Sequence, residues 1–205
     1  MARLITPSLL NSFAWYNNCP YSWKEKAIQD LSNYLNRVPF EPNEYFERGN
    51  KYEKQVKALC NGWKVEDPMP TIKEMAKLCK GGLWQQNTKV FIVIDNVEYI
   101  VCGRIDVLKK DEIIDIKTTS NYKGEDSYLS TSQHVLYLYA NHEIGGTINK
   151  FRYLVSDFNE IHKVSFEVED WDLLRVEAFK LLTDFLNFLK GNKSLQEAYL
   201  HKFCR

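Results

Sequence analysis

The sequence lacks the features that mark several large classes of protein. No apolar run approaches the roughly 18 residues of a membrane-spanning helix, and the opening residues Met1–Pro7 become polar too early for a signal peptide. There is no internal repeat and no low-complexity tract. We therefore expect an intracellular, soluble protein with no membrane partner.

Cysteine is sparse, and its spacing argues against a structural metal site. The five cysteines are odd in number and scattered, at Cys19, Cys60, Cys79, Cys102 and Cys204, and no Cys-x-x-Cys pair occurs. Reduced thiols are the expectation for an intracellular chain. His201 and Cys204 have a spacing that metal ligands can use, but with Cys19 they make only three ligands, and no fourth is evident.

An excess of charge is also missing. Lysine and arginine number 27, as do aspartate and glutamate, so the chain is not a polycation that binds nucleic acid without specificity. An enzyme whose metal ion supplies positive charge locally is not excluded. A length of 205 residues, with 44% hydrophobic and 26% charged, suits one soluble globular domain with a sizeable core.

Charged residues end two segments that otherwise have the pattern of buried strands. Asp106 follows the alternating residues from Val97, and Asp115 and Lys117 lie in the apolar run from Ile113. Side chains two apart in a strand share a face, so Asp115 and Lys117 project together. Pairing through the turn at residues 109–112 would bring Asp106 to the same point.

Two carboxylates placed that close together repel each other unless a cation lies between them. A hard divalent ion with oxygen ligands resolves the repulsion most simply. The alternative is a buried Asp–Lys ion pair at the edge of a sheet, with no metal and no chemistry.

The segments around this point predict alternating helices and strands. Helices are predicted at 8–16 with Ser8 as the N-cap, 21–36, 44–62, 71–84, 127–142 and 170–190, followed by a short terminal helix; strands are predicted at 90–94, 97–101, 113–117, 150–155 and 161–168. Asp95-Asn96 suits a tight hairpin turn. Gly49 in mid-helix indicates close approach of another backbone or a ligand, and Gln133 and Tyr137 share one helical face.

Four motifs within this order resemble the PD-(D/E)XK nuclease superfamily, with the RecB-like and phage-type exonuclease branch as the most similar part. They are Arg48-Gly49-Asn50-Lys51-Tyr52-Glu53, Gly103-Arg104-Ile105-Asp106, Asp115-Ile116-Lys117 and Gln133-x-x-x-Tyr137. The segment Thr6–Phe13 with Cys19-Pro20 is similar to the first helix of that branch. Glu53 stands where many RecB-like members have histidine, and Ile105 replaces the proline.

The resemblance implies an α/β (α+β) fold with a restriction-endonuclease-like αβββαβ core, in which helices flank a mixed central sheet. We expect a single domain over 1–205, with the core at about 44–168, a helical N-terminal extension at 1–43 and C-terminal helices at 169–205. Iron-sulfur members of the branch that this chain resembles pair an early cysteine with three closely spaced late ones. Here Cys19 has only Cys204 as a late companion, so no iron-sulfur cluster is expected.

The function implied by the resemblance is a metal-dependent DNA exonuclease in recombination, repair or phage DNA processing, in the cytoplasm of a bacterium or a phage-infected cell. Asp106, Asp115, Glu53 and the backbone carbonyl of Ile116 would hold Mg²⁺ or Mn²⁺. Lys117 would orient the attacking water, with Gln133 and Tyr137 in support. The expected DNA contacts are Thr118, Thr119, Lys123, Arg48, Lys51 and Arg104.

Three alternatives remain open at this point. The chain could be an endonuclease of the same superfamily, a catalytically silent DNA-binding subunit, or a helical scaffold in which Asp-x-Lys occurs by chance. DNA, single- or double-stranded, is the expected partner, and a recombination protein is a further candidate. The sequence leaves oligomeric state, strand preference and polarity open.

Overall fold

In a computed structural model of the chain, which describes residues 2–204, helices pack on both faces of a six-stranded mixed sheet. The strands are β1 (Arg3–Ile5), β2 (Leu83–Ile94), β3 (Val97–Leu108), β4 (Ile113–Thr118), β5 (Lys150–Ser156) and β6 (Ile161–Glu167). The helices are α1 (Pro7–Asn18), α2 (Lys24–Leu35), α3 (Glu44–Cys60), α4 (Pro70–Cys79), α5 (Asp126–Leu129), α6 (Gln133–Glu143), α7 (Trp171–Lys190) and α8 (Lys193–Phe203).

Strand β3 organises the sheet. Strand β2 pairs with it antiparallel along its whole length. The opposite edge of β3 is shared, because β1 pairs in parallel at Tyr99–Val101 and β4 pairs antiparallel at Val107 and Leu108. Strand β5 then runs parallel to β4, and β6 is antiparallel to β5. A gap is thus left on this edge between the two partners of β3.

Two hydrophobic cores lie on the two faces of the sheet. The larger is built from residues of α1, α2, α6, α7 and α8 against the sheet, with Leu9, Leu31, Leu138, Phe185 and Tyr199 fully or almost fully buried. The smaller joins α3 and α4 to the other face through Val56, Met75, Ile114 and Leu154. The helices at both ends of the chain therefore pack on the face away from α3.

The predicted restriction-endonuclease-like core is confirmed. The order α3, β2, β3, β4, α6, β5 is αβββαβ, with α4 inserted after the first helix. The predicted hairpin turn is present, since Asp95 and Asn96 have φ of 51° and 60°, the left-handed geometry that such a turn requires. No helix within residues 2–204 is long and apolar enough to cross a membrane.

Several predicted boundaries are wrong. The helix predicted at 71–84 ends at Cys79, because Gly81 turns the chain at φ 81° and residues from Leu83 enter β2. The helix predicted at 127–142 is broken into α5 and α6, and Ser132 between them donates its N–H to Asn11 Oδ1 on α1.

The N-terminal segment also differs from prediction. The cap of α1 is Thr6, whose hydroxyl accepts the N–H of Leu9, and the predicted cap Ser8 lies inside the helix. Strand β1 was not predicted, because three residues are too few to show an alternating pattern.

Candidate active site

The candidate site opens where β3 and β4 part. The strands pair at Val107 with Ile114 and at Leu108 with Ile113. Asp106 and Asp115 are the next residues outward, and there Asp106 Oδ2 accepts the N–H of Ile116 at 2.9 Å. A side-chain carboxylate thus takes the place of a backbone acceptor, and a cleft of about 1110 Å³ lies beside it.

Asp115 is held on both oxygens. It is only 4% exposed, and the Nζ of Lys117 lies 2.7 Å from Oδ2. Gln133, the first residue of α6, donates from Nε2 to Oδ1 at 3.1 Å. The aspartate, the lysine and the glutamine therefore meet at one point, where the aspartate is buried and the lysine is half-buried.

Glu53 reaches the site from α3. Its Oε1 accepts a hydrogen bond of 2.8 Å from Gln85 Nε2 on β2, and the same amide nitrogen lies 3.4 Å from Asp106 Oδ1. Gln85 is therefore a bridge between the glutamate of the helix and the aspartate of the sheet.

Gln85 occupies an irregular point of β2. Its neighbours Trp84 and Gln86 pair with Val107 and Ile105, and Gln85 lies opposite Asp106 in the same register. Its φ is 56°, in the left-handed region that non-glycine residues seldom adopt. Strain of this kind concentrates at functional sites, where the surrounding structure holds it in place.

Two glycines permit close approaches around the carboxylates. A Cβ at Gly49 would lie 2.7 Å from Thr118 Oγ1, so α3 rests directly on the end of β4. A Cβ at Gly103 would lie 2.7 Å from Tyr137 Cε1. The Tyr137 hydroxyl donates to the backbone carbonyl of Arg104 at 3.0 Å. Both motif glycines thus make room for a side chain of a neighbouring element.

Excess negative charge shows in the pKa values. Burial, and then the neighbouring Asp115 carboxylate, raise the pKa of Asp106 to about 7, although Lys117 and the Ile116 N–H act in the opposite direction. Burial lowers the pKa of Lys117, but the carboxylates of Asp115, Asp106 and Glu53 outweigh it and leave that pKa above its ordinary value. Burial, with the same two aspartates, also raises the pKa of Tyr137.

The donor set fits a hard divalent cation. Glu53, Asp106 and Asp115 all line the cleft. The N–H and C=O of a strand residue point to the same side, so the carbonyl of Ile116 faces the gap into which its N–H donates. Asp115 Oδ2 lacks a hydrogen bond apart from its ion pair with Lys117. Oxygen donors with surplus negative charge are what Mg²⁺ and Mn²⁺ bind.

The predicted DNA contacts lie in three places. Arg104 and Thr118 line the cleft, and Arg104 is exposed. Arg48 and Lys51 line a separate cavity of about 350 Å³ behind α3, where the guanidinium of Arg48 lies 3.5 Å from the ring centroid of Phe158. Thr119 and Lys123 lie in the segment after β4, outside the residues that line the cleft.

Sequence reasoning missed Gln85, Asn87 and Lys89, which lie on β2 at or beside the cleft. One signal could have found Gln85. Counting back along both strands from the Asp95-Asn96 turn places residue 85 opposite residue 106, and a polar residue opposite a motif aspartate deserves testing as part of a site. Tyr45 and Phe46, which also line the cleft, carry no such signal.

A second group of metal-ligand residue types lies elsewhere. Asp157, Glu160 and His162 are close together at the turn between β5 and β6. Asp157 Oδ1 accepts the N–H groups of Asn159 and Glu160, and the ring of His162 stacks on Tyr122 with centroids 3.8 Å apart. These contacts account for the cluster as turn structure.

Comparison with known proteins gives a match in structure alone. No family model and no curated protein matches the sequence. A protein from Eubacterium rectale that is described as an exonuclease superposes with a TM-score of 0.52 and 12% identity, over 98% of this chain and 82% of its own. The protein SSO0001 superposes with a TM-score of 0.51 and 13% identity, over 89% and 77%.

A third structure, LHK-Exo in complex with dAMP, has a TM-score of 0.48 and 15% identity, over 91% of this chain and 88% of its own. The αβββαβ order and the likeness to the Eubacterium rectale protein agree with each other. The chain therefore has a fold of the PD-(D/E)XK nuclease type.

Proposed function

We propose that this chain is a metal-dependent deoxyribonuclease that removes nucleotides from DNA ends, working as a single nuclease domain through the cleft between β3 and β4. The observation that carries the proposal is the meeting of Asp106, Asp115 and Lys117 where those strands part, with Glu53 added from α3. The likeness in fold to a protein described as an exonuclease supports it.

Glu53, Asp106, Asp115 and the backbone carbonyl of Ile116 are the groups that would hold Mg²⁺ or Mn²⁺. When bound, such an ion lowers the pKa of a coordinated water and polarises the phosphate. The surplus of carboxylates would be offset by the ion, which accounts for burying them together.

Lys117 would act on the developing charge. Its ammonium is held 2.7 Å from Asp115, at the wall of the cleft. A fixed ammonium can orient the attacking water and stabilise negative charge as it forms on the phosphate oxygens. Arginine would not serve equally, since its planar fork is larger and has a different geometry.

Gln133 and Tyr137 would position these groups. Gln133 fixes the Asp115 carboxylate through its amide. Tyr137 supports β3 by donating to the Arg104 carbonyl, with its ring against Gly103. Both side chains leave α6 four residues apart on one face.

DNA contacts would extend outward from the cleft. Arg104 and Thr118 line it and would contact the phosphate backbone nearest the cleaved bond. Thr119, Lys123, Arg48 and Lys51 lie outside it and would meet DNA only beyond the cleft. A neutral chain that relies on a local patch should bind DNA with modest affinity that falls as the salt concentration rises.

The test is cleavage of end-labelled linear DNA and of closed circles, single- and double-stranded, with Mg²⁺, Mn²⁺ or EDTA. The variant Lys117→Ala removes the proposed ammonium, and Lys110→Ala removes an exposed lysine of the β3–β4 turn as a matched control. We expect linear DNA to be shortened with metal by the wild-type protein and by Lys110→Ala, and to survive with EDTA or with Lys117→Ala.

Other outcomes would change or contradict the proposed function. Cutting of closed circles would identify an endonuclease of the same fold. DNA binding without cleavage under any metal would identify a silent DNA-binding subunit. Cleavage that persists in Lys117→Ala would overturn the assignment of this cleft.

A further inference from the structure

The mouth of the cleft carries an unusual set of exposed aromatic side chains. Tyr45 is 72% exposed and Phe46 is 47% exposed, and both line the cleft. Phe40, 64% exposed, packs edge-on against Phe46 with ring centroids 5.0 Å apart. We call Phe40, Tyr45 and Phe46 the aromatic rim. Neighbouring aromatic rings exposed together, at the mouth of a cleft, mark a contact surface.

The charges around the cleft differ between its two walls. Within residues 40–48, the segment that carries the aromatic rim, the exposed charged side chains are the acidic Glu41, Glu44 and Glu47, together with Arg48, which lies over Phe158 in the other cavity. The opposite wall, built by β2 and β3, presents the exposed cations Lys89 and Arg104 to the cleft. A phosphate backbone is therefore favoured along the strand wall and disfavoured along the rim.

The chemistry of the rim selects the state of the DNA. In a duplex the face of each internal base is covered by its neighbours, and a protein meets base edges and phosphates. An unpaired base offers an open face, and aromatic side chains stack on such faces regardless of base identity. A wall with open rings and few phosphate partners is suited to unpaired bases.

We propose that the aromatic rim stacks the bases of a single-stranded DNA segment while Lys89 and Arg104 hold its phosphates. This inference rests on the proposed function, because it assigns the substrate class of the same cleft. Tyr45 precedes Glu53 by eight residues on α3, which is about 12 Å along the helix axis. At about 3.4 Å per stacked nucleotide, the rim contacts bases three or four nucleotides from the cleaved bond.

The inference is tested by binding without cleavage. A series of single-stranded oligonucleotides carries the fluorescent base 2-aminopurine at successive positions, one nucleotide apart, counted from either end. Each oligonucleotide is mixed in EDTA with wild-type protein, Tyr45→Ala, Phe46→Ala and the double variant. Tyr21→Ala, which removes a 94% exposed tyrosine outside the cleft, is the matched control. Thermal unfolding confirms that each variant folds, as expected for changes on the surface.

Stacking quenches 2-aminopurine, so we expect wild type and Tyr21→Ala to quench the probe at a few adjacent positions. The double variant should lose that quenching and bind single strands at least about tenfold more weakly, while its affinity for blunt duplex stays near that of wild type. Equal loss for single strand and duplex, or no loss for either, would overturn the inference.

Failure of the proposed function gives a different result. If the protein cleaves no DNA but still quenches the probe through Tyr45 and Phe46, the proposed stacking on the aromatic rim stands and the proposed nuclease activity is wrong. If the protein degrades DNA with metal, and the double variant binds and degrades single strands as wild type does, the proposed stacking on the aromatic rim is wrong and the proposed nuclease activity stands.

Discussion

Gln85 donates a hydrogen bond of 2.8 Å to Glu53, and it does so from a left-handed backbone conformation with φ of 56°. For a residue other than glycine this conformation is unfavourable by about 1–2 kcal/mol. The strained residue lies opposite Asp106 in the hairpin register. Backbone strain at this position is thus linked to the placement of two carboxylates on different elements.

Replacing Gln85 should separate its effect on the affinity for metal from its effect on the stability of the fold. Both Gln85→Ala and Gln85→Gly remove the amide, so we expect the affinity for Mn²⁺ to fall about 10- to 100-fold, as for other residues that orient metal ligands. Gln85→Gly also relieves the backbone strain and should be about 1 kcal/mol more stable to unfolding than Gln85→Ala. Isothermal titration calorimetry and urea unfolding measure the two quantities.

The neighbouring Gln86→Ala is the control, because its amide hydrogen-bonds the carbonyl of Trp84 rather than a carboxylate. It should leave Mn²⁺ affinity unchanged. Undiminished Mn²⁺ binding in both Gln85 variants would show that the bridge does not position Glu53.

Asp106 should make the metal-free protein less stable as pH rises. Its pKa is raised from 3.8 to about 7 in the folded protein, first by burial and then by Asp115. The folded state therefore binds the proton more tightly than the unfolded state. The free energy of unfolding should fall between about pH 4 and pH 7, by at most about 1.4 kcal/mol per pH unit.

Urea unfolding in EDTA across that range measures the effect. Asp106→Asn should flatten the slope, whereas Asp111→Asn, at an exposed carboxyl of the β3–β4 turn, should keep it. Saturating Mn²⁺ should also flatten it. If the free energy of unfolding of Asp106→Asn fell with pH as steeply as that of wild type, the group that binds the proton would be one other than Asp106.

Lys117 should have two separable roles. Lys117→Met keeps the aliphatic stem but leaves the buried Asp115 carboxylate without its ion-pair partner. In EDTA we expect a loss of about 1–3 kcal/mol in the free energy of unfolding. Mn²⁺ should restore most of this stability, because it supplies the missing positive charge, while cleavage remains absent.

Thermal unfolding with and without Mn²⁺, beside a cleavage assay, measures both roles. Lys110→Met is the control and should behave as wild type in each. If metal failed to rescue the stability of Lys117→Met, the ion would not lie next to Asp115.

Gly103→Ala should displace Tyr137. The new methyl would lie 2.7 Å from Tyr137 Cε1, and we expect a loss of about 1–3 kcal/mol from overpacking. In the double variant Gly103→Ala/Tyr137→Ala the ring that the methyl would meet is absent. The loss in the free energy of unfolding should therefore be smaller than the sum of the losses in the two single variants. Gly191→Ala, where the nearest atom would be at 3.6 Å, should be nearly neutral. Additive losses would show that the methyl strains something other than the tyrosine.

The meeting of the motif residues was predictable because local rules govern most of it. Two strands joined by the turn at 109–112 place Asp106 opposite Asp115, and alternation places Lys117 beside Asp115. The position of Gln133 followed from the resemblance rather than from any local rule. Gln85 was within reach of the same hairpin count, but its left-handed conformation cannot be predicted from propensity.

What the sequence did not predict depends on contacts between distant residues. The break between α5 and α6 is stabilised by Asn11, which is 121 residues from Ser132. Thr131 likewise exchanges a hydrogen bond with the hydroxyl of Tyr153, a strand residue. The hydrophobic periodicity predicts one continuous helix over 127–142, because it depends on neighbouring residues alone and carries no information on distant hydrogen-bond partners.

The contact between Gly49 and Thr118 has an evolutionary consequence. Any side chain at position 49 would meet the Thr118 hydroxyl at 2.7 Å, and moving α3 away to relieve this would carry Glu53, one turn further on, out of the cleft. The two positions are therefore constrained jointly. Among homologous chains, we expect a residue larger than glycine at 49 to occur together with a smaller residue than threonine at 118, and seldom without it.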